Sequence, residues 1–350
     1  MAAHSSAERL CQQVSEFRPD WAVLGSRSVA LPPNAAGFGA GTAWHHGLEQ
    51  LEVLLRSPAI TTVVCAMVGA AGLPATWAAV DSGKRVALAN KESLVIAGPL
   101  IMQRAAETGA KLIPVDSEHS AVFQCLQSGR AEQVERLILT ASGGPFRGRS
   151  RSDLSGVTPE HALRHPTWQM GRKITIDSAT MMNKALEIIE ARWLFGLPAE
   201  KLSVVVHPQS VIHSLVEFCD GSVVAQMSPP DMRLPIQYAL LYPERLSGPA
   251  RRTDWSRGQT LELLPPDLDA FPALSLGFEA ARSGGTCGAV LNAANEVAVE
   301  RFLTGGLGFT EITDCVQDVL KHHQFDALPT LSQLMVADRK AREEALRWKP

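Results

Sequence analysis

The sequence predicts an α/β protein that begins with a parallel sheet, continues into an α+β region and ends in a small helical domain. Three observations predict this fold class. Short apolar strands alternate with helices up to about residue 115, as in a doubly wound parallel sheet. A hairpin signal at Asp220-Gly221 marks antiparallel strands in mid-chain. Helical periodicity dominates toward the C-terminus. We predict domains at 1–115, 116–242 and 273–350, with a linker at 243–272.

The composition is that of a folded enzyme rather than of a nucleic-acid-binding or membrane protein. The chain has 350 residues, of which 45% are hydrophobic and 20% charged, and its net charge is −3. This charge and the 6% aromatic content provide no basic or stacking surface for nucleic acid. The sequence shows no apolar run that could span a membrane and no secretory signal. The six cysteines form no Cys-x-x-Cys motif, which fits a reducing compartment. We expect a cytoplasmic protein.

The first 115 residues predict alternating strands and helices. The run at 60–68, ITTVVCAMV, is apolar and rich in β-branched residues, so we predict a strand that is buried on both faces. Gly69 to Gly72 follow it, but this turn lacks the dinucleotide-binding fingerprint. The other predicted elements are helices at 6–17, 48–55, 73–82 and 93–108, strands at 21–24, 85–89 and 111–115, and a Gly- and Pro-rich turn region at 31–42.

The rest of the chain combines an antiparallel component with C-terminal helices. Asp220-Gly221 predicts a type I′ turn, in which both central residues take positive φ. The residues at 243–272 are rich in Pro, Gly and Arg and indicate a surface linker. Strands are predicted at 137–140, 202–207, 210–218 and 222–227, and helices at 274–282, 287–303, 309–322 and 331–346.

The segment His165 to Glu187 concentrates polar chemistry. The alternation at 173–176, K-I-T-I, predicts a short strand, and a helix is predicted over 181–195. This helix would place an amide, an ammonium and a carboxylate on one face, near N–H groups that favour anions. A salt-bridged, solvated helix face is the alternative. The polar face consists of Asn183, Lys184 and Glu187, and the candidate helix caps are Asp177, Ser178 and Thr180.

Two carboxylates follow a predicted strand and suggest a metal site. Asp116 and Glu118 stand two apart, so on an extended segment they would point the same way. With Glu187 they would offer three oxygen ligands to a hard cation such as Mg²⁺ or Mn²⁺. The alternative is an acidic loop in which Asp116 or Ser117 caps a helix over 119–127.

Other polar groups lie at strand ends and in loops. Asn90, Lys91 and Glu92 follow a strand, where ligands of such sheets bind, or they form a helix cap with two solvated charges. Ser142-Gly143-Gly144 could meet an anion, although from these residues alone a plain turn is the favoured interpretation. His165 and Trp168 belong to either a lid or a surface loop. His207 and His213 are predicted to be structural histidines.

Seven motifs in this order resemble the 1-deoxy-D-xylulose 5-phosphate reductoisomerase family. The resemblance extends over nearly the whole chain. The motifs are ALANKESLV (87–95), PVDSEHSAVFQ (114–124), LTASGGPFR (139–147), HPTWQMGRKITIDSATMMNKALEIIEARWLFG (165–196), HPQSVIHS (207–214), PPDMRLP (229–235) and LNAANEVAV (291–299).

The resemblance implies the ligands of the metal and of a phosphosugar substrate. The implied metal ligands are Asp116, Glu118 and Glu187, and Lys91 and His165 join them as catalytic residues. The implied substrate contacts are Lys91, Ser117, Glu118, Ser142, His165, Trp168, Ser178, Asn183, Lys184 and Glu187. Four of these, Ser142, Ser178, Asn183 and Lys184, would hold the phosphate.

The resemblance also implies NADPH, one Mg²⁺ or Mn²⁺ ion, a Rossmann-like N-terminal domain, a mobile lid over 161–173 and a homodimer. The implied reaction is a metal-assisted rearrangement of 1-deoxy-D-xylulose 5-phosphate, followed by reduction to 2-C-methyl-D-erythritol 4-phosphate, an isoprenoid precursor. The implied cofactor contacts are Ala66, Met67, Asn90, Glu92, Met170, Gly171 and Met232.

One family feature is missing from this sequence. The family opens with a strand and a G-x-T-G-x-x-G loop for the cofactor pyrophosphate, and no such loop occurs here. We therefore expect the Rossmann-like sheet to be incomplete at its start, with an uncovered edge. The segment that reads the 2′-phosphate would lie near His4 to Ser6. The alternatives are a truncated, inactive paralogue that acts in binding or dimerisation, and a metal-dependent phosphosugar aldolase or isomerase without a nicotinamide.

Overall fold

The computed structural model describes residues 1–31 and 41–350, which divide into two compact units. The first unit comprises residues 1–90 and 103–112, and the second comprises residues 91–102 and 113–350. Most of the turn region predicted at 31–42 lies outside the described residues. No helix in the described part of the chain is both long and apolar enough to cross a bilayer.

Parallel strands and flanking helices form the N-terminal part, as predicted. Its elements are β1 (Ala2–Ala3), α1 (Ala7–Phe17), β2 (Trp21–Leu24), β3 (Ala43–His46), α2 (Leu48–Leu55), β4 (Thr62–Cys65), α3 (Leu73–Asp81), β5 (Arg85–Leu88), α4 (Lys91–Thr108) and β6 (Lys111–Pro114). They form two three-stranded sheets, ordered β1-β2-β3 and β4-β5-β6. The pairs β1–β2, β2–β3 and β4–β5 are parallel. The last two elements, α4 and β6, contribute residues to both units.

Strand β4 is shorter and less buried than the sequence predicts. Val63 and Cys65 are buried, but the intervening Val64 is 52% exposed. The prediction that both faces are buried is therefore wrong, because the apolar run shows the inward-outward alternation of a strand with one covered face. The uniform hydrophobicity of the run concealed this alternation.

A cleft of about 790 Å³ lies in the first unit and is walled by β1 and β4. Its apolar lining includes Trp21, Val64 and Val68, of which Val68 is 69% exposed. Ala66 and Met67, both predicted cofactor contacts, lie on the same wall just beyond the end of β4. Within the described residues, β1 pairs only with β2 and β4 only with β5, so an uncovered sheet edge borders this cleft.

The second unit combines a mixed sheet with helices, which confirms the predicted α+β and helical parts. After α4 and β6 its elements are α5 (Ser117–Cys125), β7 (Val134–Ala141), α6 (Pro159–Ala162), α7 (Arg172–Ala179), α8 (Met182–Leu194), β8 (Leu202–Val206), β9 (Ile212–Phe218), β10 (Val223–Met227), α9 (Arg233–Leu241), α10 (Ala273–Ser283), α11 (Cys287–Leu303), α12 (Phe309–His322) and α13 (Leu331–Arg347). The sheet order is β10-β9-β7-β8; β7 runs parallel to β8, whereas β9 is antiparallel to both β7 and β10.

The hairpin between β9 and β10 exists, but its turn differs from the predicted type I′. Gly221 has a φ of 84°, whereas Asp220 is not among the residues with positive φ. Phe218 and Ser222 close the loop through the bond from Phe218 N–H to Ser222 O at 2.9 Å. A three-residue loop with glycine in the left-handed position satisfies this geometry. The Asp-Gly pair therefore predicted the hairpin correctly and the turn type incorrectly.

The segment 173–176 is helical, so the predicted strand is wrong. These residues lie inside α7, whose N-cap position is Gly171. The pairing of Lys173 Nζ with Asp177 Oδ2 at 3.0 Å, four residues apart, fits a helix and not an extended strand. Four alternating residues are too few to distinguish a strand from one helical turn.

Close helix packing forms the core behind the site. A Cβ atom on Gly277 of α10 would lie 2.5 Å from the Cα of Ala185 on α8. A Cβ on Gly288 of α11 would lie 2.1 Å from the carbonyl oxygen of Val95 on α4. Only glycine permits these approaches. Helix α8, which carries three predicted site residues, is therefore held in a closely packed interior.

Candidate active site

Three carboxylates and two ammonium groups alternate at the centre of the second unit. Lys91, the first residue of α4, places its Nζ 2.6 Å from Asp116 Oδ2 and 3.3 Å from Glu187 Oε1. Lys184 Nζ lies 2.8 Å from Glu118 Oε1 and donates a second bond to Glu187 Oε2. Glu187 therefore accepts a bond from each lysine. The structure brings together all five of these predicted residues.

Burial excludes the solvated helix face as an explanation of this cluster. Glu187 is fully buried, Lys184 is 3% exposed and Lys91 is 6% exposed. Removing one member of such a buried pair typically costs about 3–5 kcal/mol, because the other charge remains uncompensated. A buried arrangement of charges that depends so strongly on pairing fits a functional site better than a solvated helix face.

The carboxylates are not arranged as the sequence argument assumed. Asp116 precedes α5 at its N-cap position, and Glu118 lies in the first helical turn rather than on an extended segment. The Asp116 side chain makes no capping bond, since it faces Lys91. Both the extended-segment geometry and the capping alternative for Asp116 are wrong, although the two carboxylates do reach the same cluster.

The start of α8 also differs from the prediction. Asp177 and Ser178 lie inside α7 and cap nothing on α8. The Thr180 hydroxyl accepts a bond from the Met182 N–H at 3.3 Å, so only this candidate meets the helix start. Met181 links the helices with a φ of 63°, a left-handed conformation that is uncommon for residues other than glycine. Helix α8 begins directly after this residue, and its Lys184 reaches Glu118 in the first turn of α5.

Charges and burial shift the ionisation of the cluster in opposite directions. Burial raises the pKa of Glu187, and the nearby Glu118 carboxylate adds to this effect. Burial would also raise the pKa of Asp116, but Lys91 outweighs it and holds that pKa well below its usual range. The same carboxylates hold the pKa of Lys91 well above its usual range despite burial. Lys91 therefore favours the ionised form of Asp116, whereas burial and Glu118 disfavour the ionised form of Glu187.

His119 and Glu190 belong to this cluster but were not predicted from the sequence. His119 Nε2 donates to the carbonyl oxygen of Glu187 at 3.0 Å, and its Nδ1 lies 3.4 Å from Glu190 Oε2 and 3.8 Å from Asp116 Oδ2. Burial alone would lower the pKa of His119, but Glu190 outweighs it and raises that pKa to about 9. The signal in the sequence was the three-residue spacing from Asp116 to His119, which brings them to one face once a helix begins at Ser117.

The donor set fits a hard divalent cation. Asp116 and Glu187 offer carboxylate oxygens that lie within 4.8 Å of each other. His119 lies within the same distance, but its raised pKa and the bond from its Nε2 to the Glu187 carbonyl oxygen make it a neighbouring cation rather than a ligand. Glu118 adds a carboxylate that shares Lys184 with Glu187. Carboxylate oxygens dominate the set, which suits Mg²⁺ or Mn²⁺ better than a soft metal.

A polar turn and a helix end lie close together beside the charged cluster. A Cβ on Gly144 would lie 2.8 Å from the carbonyl oxygen of Ser178, so the Ser142-Gly143-Gly144 turn packs directly against the end of α7. The Ser142 hydroxyl accepts a bond from the Gly144 N–H at 3.2 Å. Asn183 accepts from Lys91 at 2.7 Å and donates to Glu187 at 2.6 Å. Asn183 therefore belongs to the hydrogen-bonded cluster of Lys91 and Glu187, and the Ser142 turn meets the end of the helix that precedes it.

The loop at His165 to Trp168 folds around one imidazole ring. Nδ1 of His165 accepts from the N–H groups of Thr167 and Trp168 at 3.1 and 2.9 Å, and Nε2 lies 3.0 Å from Ser142 Oγ. Since Nδ1 accepts twice, the proton of the neutral ring belongs on Nε2, which then donates to Ser142. The Trp168 ring lies 6.4 Å from that of His213. His213 and His207 are buried and hydrogen-bonded, as predicted.

The predicted cofactor residues are distributed over several elements. In the first unit, Asn90 Nδ2 donates to the carbonyl oxygens of Met67 and Gly69 at 2.6 and 3.0 Å, which ties together two strand ends. In the second unit, Glu92 pairs with Lys173 at 3.1 Å. Met170 and Met232 are partly exposed, and Gly171 is exposed. Their role toward a cofactor stays a prediction.

The hydrogen bonds of His165 lead to a testable pH dependence. Burial lowers the pKa of His165, and protonating Nδ1 would oppose two N–H donors. Because the folded-state pKa is lowered, the contribution of this turn to stability is present at neutral pH and is lost as the pH falls through that pKa. We expect nitrogen NMR of the imidazole to show the Nε2–H tautomer and a midpoint below that of an unfolded-state histidine, about 6.5. His165→Asn would assign the resonance; a midpoint above the reference would contradict the structure.

Comparison with known proteins identifies the family. Three family models match the chain. The family model of 1-deoxy-D-xylulose 5-phosphate reductoisomerase matches residues 1–98. The family model of the 1-deoxy-D-xylulose 5-phosphate reductoisomerase C-terminal domain matches residues 112–195, and the family model of the DXP reductoisomerase C-terminal domain matches residues 227–344. The 1-deoxy-D-xylulose 5-phosphate reductoisomerase of Rhodopirellula baltica is 54% identical over 82% of this chain and 70% of its own length. That of Methylobacillus flagellatus is 49% identical over 100% of this chain and 90% of its own length.

Solved structures agree with this assignment. The reductoisomerase from Zymomonas mobilis in complex with NADPH superposes with a TM-score of 0.89 at 43% identity, over 98% of this chain and 89% of that one. A DOX-P reductoisomerase in complex with NADPH, fosmidomycin and magnesium gives a TM-score of 0.90 at 40% identity, over 99% and 90% of the two chains. The chain described here belongs to the 1-deoxy-D-xylulose 5-phosphate reductoisomerase family.

Proposed function

We propose that this protein converts 1-deoxy-D-xylulose 5-phosphate into 2-C-methyl-D-erythritol 4-phosphate with NADPH and a divalent cation. The observation that carries the proposal is the buried cluster of Asp116, Glu118 and Glu187, compensated by Lys91 and Lys184. The family assignment supplies the reaction, and relatives crystallised with NADPH and with magnesium support the choice of cofactors.

The carboxylates would hold the metal, and the neighbouring groups would hold the substrate. When bound, the metal supplies Lewis-acid stabilisation to neighbouring oxygens of the ketose, and NADPH supplies the hydride for the reduction. Lys91, which is already bonded to Asn183 and Asp116, would keep the ketose end of the substrate oriented beside the carboxylates. This arrangement uses preorganised charges, which require no rearrangement as the reaction proceeds.

The phosphate of the substrate would bind beside Lys184. Ser142 and Ser178 belong to segments that pack against each other, and hydroxyl groups there can donate to phosphate oxygens. His165, whose Nε2 faces Ser142, would fix that hydroxyl. The backbone N–H of Trp168 is bonded to the same imidazole. The Trp168 side chain would exclude water when the segment 161–173 covers the substrate. A phosphate dianion offsets the ammonium charge of Lys184.

Substrate-dependent oxidation of NADPH tests the proposal. We expect loss of NADPH absorbance when the protein is supplied with 1-deoxy-D-xylulose 5-phosphate and Mg²⁺ or Mn²⁺, and formation of the branched polyol phosphate. Omitting the metal or adding a chelator should abolish the signal. Conversion of the substrate without NADPH consumption would instead indicate an aldolase or isomerase. No conversion and no NADPH binding would favour an inactive binding protein.

Replacing Glu187 by Gln tests the metal assignment. The substitution keeps the shape of the side chain but removes a carboxylate from the proposed metal ligands. We expect turnover to fall by at least about 10³-fold, because the reaction depends on the metal. Mn²⁺ affinity, measured by calorimetry, should fall as well, while circular dichroism stays unchanged. Glu200→Gln, at an exposed ion pair with Arg282, is the matched control. A near-normal rate in Glu187→Gln would refute the assignment.

We also infer a homodimer, as the family resemblance implies. Strand β10 is the last strand of its sheet, and its outward residues Val223 and Met227 are 49% and 37% exposed. Ile236 and Leu240 of the following helix are 39% and 41% exposed. Apolar groups on a sheet edge and an adjacent helix favour burial against another chain. Light scattering should give the mass of two chains; the mass of one chain would contradict this inference.

A further inference from the structure

The segment LNAANEVAV (291–299) lies on α11, and none of its residues belongs to the site described above. Asn295 within it is fully buried. Its Nδ2 donates to Asp177 Oδ1 at 2.8 Å, a bond between α11 and α7. The residues are 118 positions apart in sequence, so this bond joins the C-terminal helices to the segment that precedes the site helix α8.

Asp177 continues the connection toward the proposed lid. Its second oxygen lies 3.0 Å from Lys173 Nζ, and Lys173 lies 3.1 Å from Glu92 Oε1. The side chains of Asp177 and Glu92 are 2% and 8% exposed, and that of Lys173 is 19% exposed. A continuous chain of polar contacts therefore runs Glu92–Lys173–Asp177–Asn295. Each ionised group in it has an opposite charge or a donor.

The position of this chain of contacts gives it a role beyond packing. Lys173 is the last residue of the segment 161–173, so its two carboxylate partners fix the C-terminal end of that segment. Asp177 directly precedes Ser178, whose carbonyl oxygen lies against Gly144. A shift of α7 by a fraction of an ångström would therefore move Ser178 and the turn that carries Ser142. At the other end of the chain of contacts, Glu92 directly follows the predicted catalytic residue Lys91.

We propose that Asn295 is a positioning residue for the reaction: through Asp177 and Lys173 it anchors the end of the segment 161–173 and places Ser178 for the substrate phosphate. The proposal rests on the proposed function for its catalytic consequence, whereas the anchoring itself is a property of the protein without ligands. Among the described residues the Asn295 side chain hydrogen-bonds to Asp177 alone, so it acts through α7.

Asn292, one helical turn earlier on α11, provides a matched control. Like Asn295 it is fully buried, donates its Nδ2 to one carboxylate (Glu296 Oε1, at 3.0 Å), and has an Oδ1 without a hydrogen-bond partner among the described residues. Replacing either asparagine by leucine removes one such bond, from a carboxylate that is buried in Asp177 and 19% exposed in Glu296. Only the Asn295 change removes a hydrogen bond to α7. The Asn292 change keeps the Glu296 carboxylate, whose charge acts on Lys173, in place.

The first experiment is limited proteolysis of the ligand-free protein. Chymotrypsin cleaves after Trp168, in the middle of the segment 161–173. None of the substituted residues is part of this cleavage site. We expect Asn295→Leu to accelerate this cleavage about tenfold over wild type, the size expected for loss of a hydrogen bond to a charged group. Asn292→Leu, with a similar loss of thermal stability, should cleave at the wild-type rate.

The second experiment is steady-state kinetics with 1-deoxy-D-xylulose 5-phosphate. Asn295→Leu should raise KM for the substrate about tenfold and change kcat by less than about threefold, because it displaces phosphate contacts rather than the metal site. Asn292→Leu should leave KM unchanged. Lys173→Gln, at a partly exposed position, repeats both tests should Asn295→Leu fail to fold, and it should show the same accelerated cleavage and raised KM.

Two results would overturn the proposal. Equal cleavage rates in Asn295→Leu and Asn292→Leu at matched stability would show that Asn295 contributes to stability only and does not anchor the segment 161–173. Wild-type cleavage and KM in Lys173→Gln would show that the contact chain does not anchor the segment. If the wild-type protein lacks reductoisomerase activity, the proposed function fails, but the cleavage comparison still decides whether the anchor exists.

Discussion

The compensation of buried charge is the constraint on which the site depends. Glu187 has no exposed surface, and it remains acceptable in the interior because two ammonium groups and an amide donate to it. The lysines come from the start of α4 and the first turn of α8. The interior packing that fixes these helices, including the glycine approaches at Gly277 and Gly288, is therefore also what fixes the charges.

The same compensation explains how three buried carboxylates can form a site for a dication. The carboxylates of Asp116, Glu118 and Glu187 repel one another, and burial adds to the cost of ionising Glu187. Lys91 and Lys184 reduce this repulsion from either side. A divalent cation would supply the same compensation more compactly, and the ammonium groups would then be available to an anionic substrate. Metal and phosphosugar binding are in this sense electrostatically complementary.

Element positions were largely predictable from the sequence, whereas local geometry was not. The strand at Trp21–Leu24 and the helices at Leu48–Leu55, Cys287–Leu303 and Phe309–His322 begin and end where the hydrophobic pattern predicts. These are segments whose periodicity is long or bounded by glycine and proline. The failure at 173–176 arose because a four-residue alternation carries too little information to separate strand from helix. The pair of Lys173 with Asp177 was the helical signal in the same residues.

The site shows the same division between chemistry and geometry. Residue types predicted the carboxylate cluster correctly, but the argument from an extended segment was wrong, because α5 begins at Ser117. Recognising that helix start would also have revealed His119, which lies one turn after Asp116 and was missed. Bonds between elements far apart in sequence, such as Asn295 to Asp177, have no local signal and require the fold itself.

The early start of α5 has a physical consequence for the site. Asp116 occupies the N-cap position and Glu118 the first turn of a nine-residue helix, where unsatisfied N–H groups and the helix dipole favour negative charge. On an extended segment the two carboxylates would depend on the lysines alone for their stability. At the helix N-terminus the backbone contributes to holding them ionised. A cluster of like charges is thereby kept ready for a cation, and its arrangement follows from where one helix begins.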